Sequence, residues 1–486
     1  MMMDSALMAV KPEIALVIFG MVLLIYGAFR GDGSARVTLG LAFVALAVAA
    51  IFLLCPPYGG GLGSAPVVHV FDRMLVQDGF ARFVKLILLI ASGLSLVMSW
   101  SYLREEKLAR PEYPVLVLFA TLGMMLMVSA NDFLALYVGL ELQSLALYVL
   151  AAFRRDDTKS SEAGLKYFVL GALSSGLILY GISLIYGYAG TTQFAALAPL
   201  LGGTPPLGVL FGLVFICAAM AFKVAAVPFH MWAPDVYEGA PTPITAFFAA
   251  APKVAALALF TRILMQPMAG LTPQWQQIIV FTAVASMLVG SFGGLMQGNF
   301  KRLMAYSSIA NAGYALIGLA IGKEAGIQAL LIYLSIYYLN TLGAFGVLLC
   351  LRRNGKAVEQ ISDLSGIAKS NPLFAVAMVI FMFSLAGVPP LAGFLGKYFI
   401  FLAAVQAQMV WIAIIGVLSS VIAAFYYLRI IKVMYFDKPI GSLDPLADRG
   451  LHAVVGLAAI LMLVMIVWPT PIIDSALIAA RSLIGG

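Results

Sequence analysis

The sequence predicts an all-α polytopic membrane protein of about fourteen transmembrane helices, with two inverted five-helix repeats and discontinuous seventh and twelfth helices. Three observations lead there. Hydrophobic residues make up 63% of the 486 positions and charged residues 10%, against about 45–50% and about 25% in soluble domains. Apolar runs recur at lengths near the roughly 20 residues that cross a bilayer core. Prolines and glycines interrupt two of those runs beside buried lysines, at matched places in the chain.

The runs cover, in order, Pro12 to Phe29, Val37 to Cys55, Phe80 to Leu103, Tyr113 to Ala130, Asp132 to Phe153, Gly164 to Tyr188 and Leu207 to Trp232. The second seven are Thr242 to Leu264, Trp275 to Met296, Leu303 to Ile321, Ala325 to Leu351, Pro372 to Ala407, Met409 to Tyr435 and Leu451 to Trp468. Asp4 and Glu13 precede a first run too long for a signal peptide, so a retained span is expected. Cys55, Cys217 and Cys350 stand far apart without paired histidines, and read as small core hydrophobes.

Most of the 29 Lys and Arg, including Arg104, Arg110, Arg154, Arg155, Lys301, Arg302 and Arg352, fall in connections on one side of the membrane. Lys11, Arg73, Arg82, Lys85, Arg262, Lys323 and Arg481 fall on the other. The positive-inside rule then puts both termini outside. The net charge of +7 is accounted for by these clusters, and no nucleic-acid patch is expected.

Residues 1–112 are expected to hold the first three helices, 113–265 and 274–436 one five-helix repeat each, and 450–486 the fourteenth helix and a tail. Glu162-Ala163-Gly164-Leu165 echoes Glu324-Ala325-Gly326-Ile327 at helix starts on opposite sides, as inverted repeats require. Pro228 follows Lys223 by five residues in the seventh span, and Pro389, Pro390, Gly393 and Gly396 precede Lys397 in the twelfth. Each is the fourth helix of its repeat, and a broken helix at mid-membrane frees backbone groups that can coordinate ions.

Glu141, Lys223, Lys253 and Lys397 each lie deep in an apolar run. An ionised side chain at the bilayer centre costs about 2.5–3.5 kcal/mol, so four cost on the order of 10 kcal/mol without compensation. Such residues mark ion pathways and proton relays. A buried amine whose carboxylate neighbour moves can take up or release a proton, so protons are the expected transported species. Lys166 begins a helix after a basic loop, where snorkelling to the interface is an equal account. His230, seven residues beyond Lys223, is a secondary relay candidate or a structural imidazole. Ser144, Tyr306, Ser307 and Tyr338 can carry waters or simply pack.

No dinucleotide fingerprint, Walker motif, cysteine cluster or haem histidine pair is present. The glycine-rich GGGLGS at residues 59–64 lacks the lysine and helix of a phosphate loop. Energy is therefore expected from an ion gradient or from partner subunits.

PFHMWAPDVYEGAPTPITAFFAAAPKVAALALF, with YVGLELQSLALYVLAAFRR, GNFKRLMAYSSIANAGYAL and SLAGVPPLAGFLGKYF, resembles the antiporter-like membrane subunits of respiratory complex I over nearly the whole chain. Lys253, where two branches of that family tend to carry His, and Lys397, where one tends to carry Glu, point to the N-type branch. The resemblance implies a proton relay through Glu141, Lys223, Lys253 and Lys397, with Lys166 also on the hydrophilic axis. It implies a bacterial inner-membrane location and other membrane and peripheral subunits as partners. FMN, iron–sulfur clusters and quinone are expected in those partners, and no cofactor or metal in this chain. The alternatives are a subunit of a multi-subunit sodium/proton antiporter, disfavoured by PDVYEGAPTP and the APK lysine, and a structural scaffold.

Overall fold

A computed structural model of the chain describes residues 7–55, 66–201, 205–441, 444 and 448–485, so GGGLGS and Asp4 lie outside the described residues. Its first six long helices are α1 (Lys11–Arg30), α2 (Ala35–Leu54), α3 (Gly79–Glu105), α4 (Glu112–Val128), α5 (Phe133–Ala151) and α6 (Thr158–Ala189). The seventh span divides into α7 (Leu207–Lys223) and α8 (Trp232–Gly239), and the eighth into α9 (Thr242–Ala249) and α10 (Ala251–Met265). There follow α11 (Thr272–Leu295), α12 (Phe300–Ile321), α13 (Glu324–Leu349), α14 (Pro372–Ala386), α15 (Ala392–Gln406), α16 (Val410–Phe436), α17 (Arg449–Val467) and α18 (Thr470–Ile484).

Both expected interruptions are present. Pro228 has no N–H for the carbonyl four residues earlier and its ring clashes with that group, so the helix stops at Lys223. Gly387, at φ 87°, ends α14 before Pro389 and Pro390. A third interruption was not expected: Ala250, at φ −106° and ψ −90°, separates α9 from α10. Pro252 cannot donate to the preceding turn but suits the first turn of a new helix, so the chain restarts just before Lys253.

The expected C-terminal tail is also a helix. α18 is held by Ser482, whose hydroxyl accepts from the Phe80 amide at 2.8 Å, and by an Arg481–Glu324 ion pair of 2.9 Å. Two short antiparallel hairpins, Val68–Val70 with Leu75–Gln77 and Arg352–Arg353 with Lys356–Ala357, sit in connections where no strand was expected.

The central stretches of the eighth span and α13 are fully enclosed, whereas α1, α2 and α17 turn apolar faces such as Ile18, Ile25 and Ile460 outward, toward lipid. Small residues set the closest approaches. A Cβ on Gly139 would lie 2.7 Å from the Met127 amide nitrogen, which brings α4 and α5 backbone to backbone. At the same place in the second set of five helices, one on Gly313 would lie 2.8 Å from the Ala283 carbonyl, joining α12 to α11.

Several basic residues assigned to connections are instead buried, among them Lys85, Arg262 and Lys301. Lys85 meets Glu13 and donates to Gln77 at 2.9 Å, while Arg262 grips Asp78 at 2.8 and 2.9 Å and the Val128 carbonyl at 2.9 Å. Lys301 pairs with Glu359 at 2.6 Å and donates to the Ala240 carbonyl at 3.1 Å. Each lies close enough to a span's end to look solvated, yet its acidic partner comes from a different element. Cys217 and Cys350 are buried as expected, but Cys55 is exposed at the end of α2.

Candidate functional site

The two breaks place lysines against helix ends in different ways. Lys223 is the last residue of α7, so its ammonium sits at the negative end of a half-helix dipole, a position worth about 0.3–1 kcal/mol for a cation. It is partly buried and donates to Ser144 Oγ of α5 at 2.8 Å. Glu141 lies nearly one turn before Ser144, and its Oε1 is buried with no hydrogen-bond partner. Among the described residues no ion pair joins Glu141 to Lys223, and the lysine meets a serine of the glutamate's own helix instead.

Lys397 belongs to the second half of its broken helix and reaches back across the gap. Its Nζ donates to the Leu385 and Ala386 carbonyls at 2.9 and 3.0 Å and to Ser420 Oγ of α16 at 2.6 Å. The ammonium also lies 4.9 Å from the centroid of the Tyr314 ring. Gly387 makes this possible, because a Cβ there would come within 2.9 Å of the Lys397 side chain.

Lys253 is enclosed at the first turn of α10, the positive end of that half-helix. Its ammonium meets Ser308 Oγ, which in turn accepts from Tyr337 at 2.8 Å, and it lies 5.5 Å from the Tyr237 ring centroid. Tyr337 and Lys397 line a common small void with Asn311, Tyr333, Asn340 and Ser384. Its volume, about 10 Å³, is at the lower bound for one water. On the far wall Tyr333 donates to Asn311 at 2.6 Å, Asn311 to the Ser307 carbonyl at 2.7 Å, and Ser307 meets Tyr427 at 2.6 Å. Polar groups therefore run from Lys253 through Ser308 and Tyr337 to the void beside Lys397.

Of the secondary candidates, Lys166 lies outside this line. It is 40% exposed and bridges Glu162 at 2.6 Å and Asp235 at 2.7 Å. His230 sits in the α7–α8 interruption with a buried Nδ1 that has no partner. Among the hydroxyls, Ser144 does meet a lysine, and Ser307 joins the Tyr427 network. The groups at Lys253 are Ser308 and Tyr337, each one residue from a named candidate, and Ser420 at Lys397 was missed. Its signal was the Ser419-Ser420 pair inside an apolar helix.

The basic face carries a separate ionic network. Arg154 binds Glu106 at 2.7 Å, Arg302 binds Asp235 at 2.7 Å and Glu238 at 3.2 Å, and Lys159 binds Glu238 at 3.1 Å. Glu106, Arg154, Lys159 and Glu238, with Lys301 and Glu359, surround a polar cavity of about 270 Å³.

Residues 130–423 match the profile described as NADH:quinone oxidoreductase/Mrp antiporter, TM. NADH-quinone oxidoreductase subunit N of Paramagnetospirillum magneticum is 52% identical over 483 residues, 98% of each chain. The subunit N of Rhodospirillum rubrum is 53% identical over 477 residues, 97% of this chain and 96% of that one. Among solved structures, a chain of respiratory complex I from Thermus thermophilus is 31% identical with a TM-score of 0.81, covering 95% of this chain and 98% of that one. A chain of the Mrp complex from Dietzia has a TM-score of 0.86 over 99% and 97% of the two chains, but at 21% identity the likeness is one of fold. A profile matching more than half the chain, full-length relatives at this identity and the shared fold agree: the chain belongs to the NADH:quinone oxidoreductase/Mrp antiporter membrane-subunit family, among the NADH-quinone oxidoreductase N subunits.

Proposed function

We propose that this chain is the proton-translocating N subunit of a bacterial NADH:quinone oxidoreductase, and that Glu141, Lys223, Lys253 and Lys397 are its relay. The observation that carries the reading is the series of interrupted helices whose ends hold buried lysines, with hydroxyls bridging from Lys253 toward Lys397. Each amine has a hydroxyl within reach, and a hydroxyl both accepts and donates, so a proton can be passed along without an ion crossing apolar space. Redox chemistry on FMN, iron–sulfur clusters and quinone is assigned to partner subunits, which drive the relay. The chain lies in the inner membrane with its basic face cytoplasmic and both termini periplasmic. Lys166 and His230 take at most supporting parts.

The test is the assembled complex in inverted membrane vesicles, followed by NADH oxidation and vesicle acidification. Lys223→Met and Glu141→Gln should each lower acidification while the complex still assembles. Full acidification in both variants would remove these residues from the relay, and loss of assembly alone would favour a scaffold. The sodium/proton antiporter reading has the fold likeness behind it, whereas the full-length relatives near 50% identity favour the oxidoreductase.

A further inference from the structure

A second site opens sideways from the bundle, where α4, α5 and α6 meet the basic face. There Leu116, Tyr148, Val149, Leu165 and Phe168 wall a groove of about 610 Å³. Val149, Leu165 and Phe168 are 54%, 64% and 49% exposed, so the groove faces outward at membrane depth rather than into the core. Its mouth is lined by Arg110, Arg155 and Glu112, a net charge of one positive. Neighbouring cations are neutralised, Arg154 by Glu106 and Arg302 by Asp235. Arg110 and Arg155 form no ion pair with any of the described residues.

We propose that this groove binds one anionic phospholipid, its phosphate between Arg110 and Arg155 and an acyl chain laid along α5 and α6. The division of the site is that of an amphiphile: guanidinium groups at the interface, which suit phosphate geometry, and an apolar channel below. An apolar helix of a neighbouring subunit would fill the channel but leave the two guanidinium groups unmatched. The position has a consequence for the relay. Tyr148 forms the inner wall, with its buried hydroxyl unpartnered, one turn along α5 from the Ser144 that receives the Lys223 ammonium. The acyl chain would close the lateral approach to that pair.

The test uses the assembled complex, exchanged in detergent against mixed phosphatidylglycerol and phosphatidylcholine, with tightly held lipid counted by mass spectrometry. Arg110→Gln with Arg155→Gln should retain one phosphatidylglycerol fewer per complex and lower the preference for it roughly 30-fold, at about 1 kcal/mol per arginine. Arg36→Gln, at an exposed arginine in the first turn of α2, should leave retention unchanged. Val149→Trp, which fills the channel without altering charge, should also expel the lipid. Unchanged retention in the double arginine variant would overturn the proposal, as would efficient crosslinking of Val149→Cys to an adjacent subunit, which would show protein in the groove.

Discussion

The lysines at the two breaks share a fold device and differ in enclosure. Lys223 ends the first half of its helix, keeps some exposure, and among the described residues has one hydroxyl partner. Lys397 starts from the second half, is buried, and is held by two carbonyls and a hydroxyl. Interrupting a helix therefore does not by itself define a site. What matters is which half bears the amine: on the first half it ends its own helix and leans on α5, and on the second it bridges the gap and fixes it. Lys253, at the opposite dipole end of a third interruption, is the contrasting case between them.

Lys397→Ala should give the largest effect: proton transfer falls roughly 100-fold, as for loss of a positioned proton carrier, and stability falls by about 1–3 kcal/mol for each carbonyl left unpaired. Vesicle acidification and thermal unfolding of the purified complex measure the two losses. Lys223→Ala should match it in acidification but shift unfolding little, since one exposed-side contact is lost. Equal destabilisation by both would erase the distinction between a fixed and a leaning lysine. Ser144→Ala should slow transfer roughly 10- to 100-fold, because a hydrogen bond to a charged group contributes about 1.5–3 kcal/mol. If the rate is unchanged, Glu141 must reach Lys223 without the serine. The smallest effect belongs to Tyr337→Phe, a few-fold loss for a neutral hydrogen bond of about 0.5–1.5 kcal/mol. A deficit as large as that of Lys397→Ala would make the small void an obligatory step.

The spans and their charged residues were legible because membrane crossing needs length and apolarity, both local properties. The breaks at Lys223 and before Lys397 were legible because proline acts on its own helix. The break at Ala250 was not: Pro252 reads equally as a tolerated kink or as the first turn of a new helix. Ser308 could not be separated from Ser307 either, because adjacent helical residues point about 100° apart and only tertiary packing says which faces Lys253. Lys85, Arg262 and Lys301 were misplaced for a related reason. Their partners Glu13, Asp78 and Glu359 come from distant segments, and a charge near a span's end looks solvated until those segments assemble.

The Lys397 site also has a numerical property. An ammonium carries three hydrogens, and the site offers three acceptors: Leu385 O, Ala386 O and Ser420 Oγ. Once the amine is neutral it has two hydrogens and a lone pair, so the count no longer closes. Of the three acceptors only Ser420 can turn to become a donor, and its hydroxyl now points toward the Ala386 carbonyl at 3.2 Å. Loss of the proton therefore calls for that hydroxyl to swing from the carbonyl to the nitrogen. The charge state of Lys397 would be written in the direction of a single O–H bond on α16, and from there in how firmly the end of α14 is held.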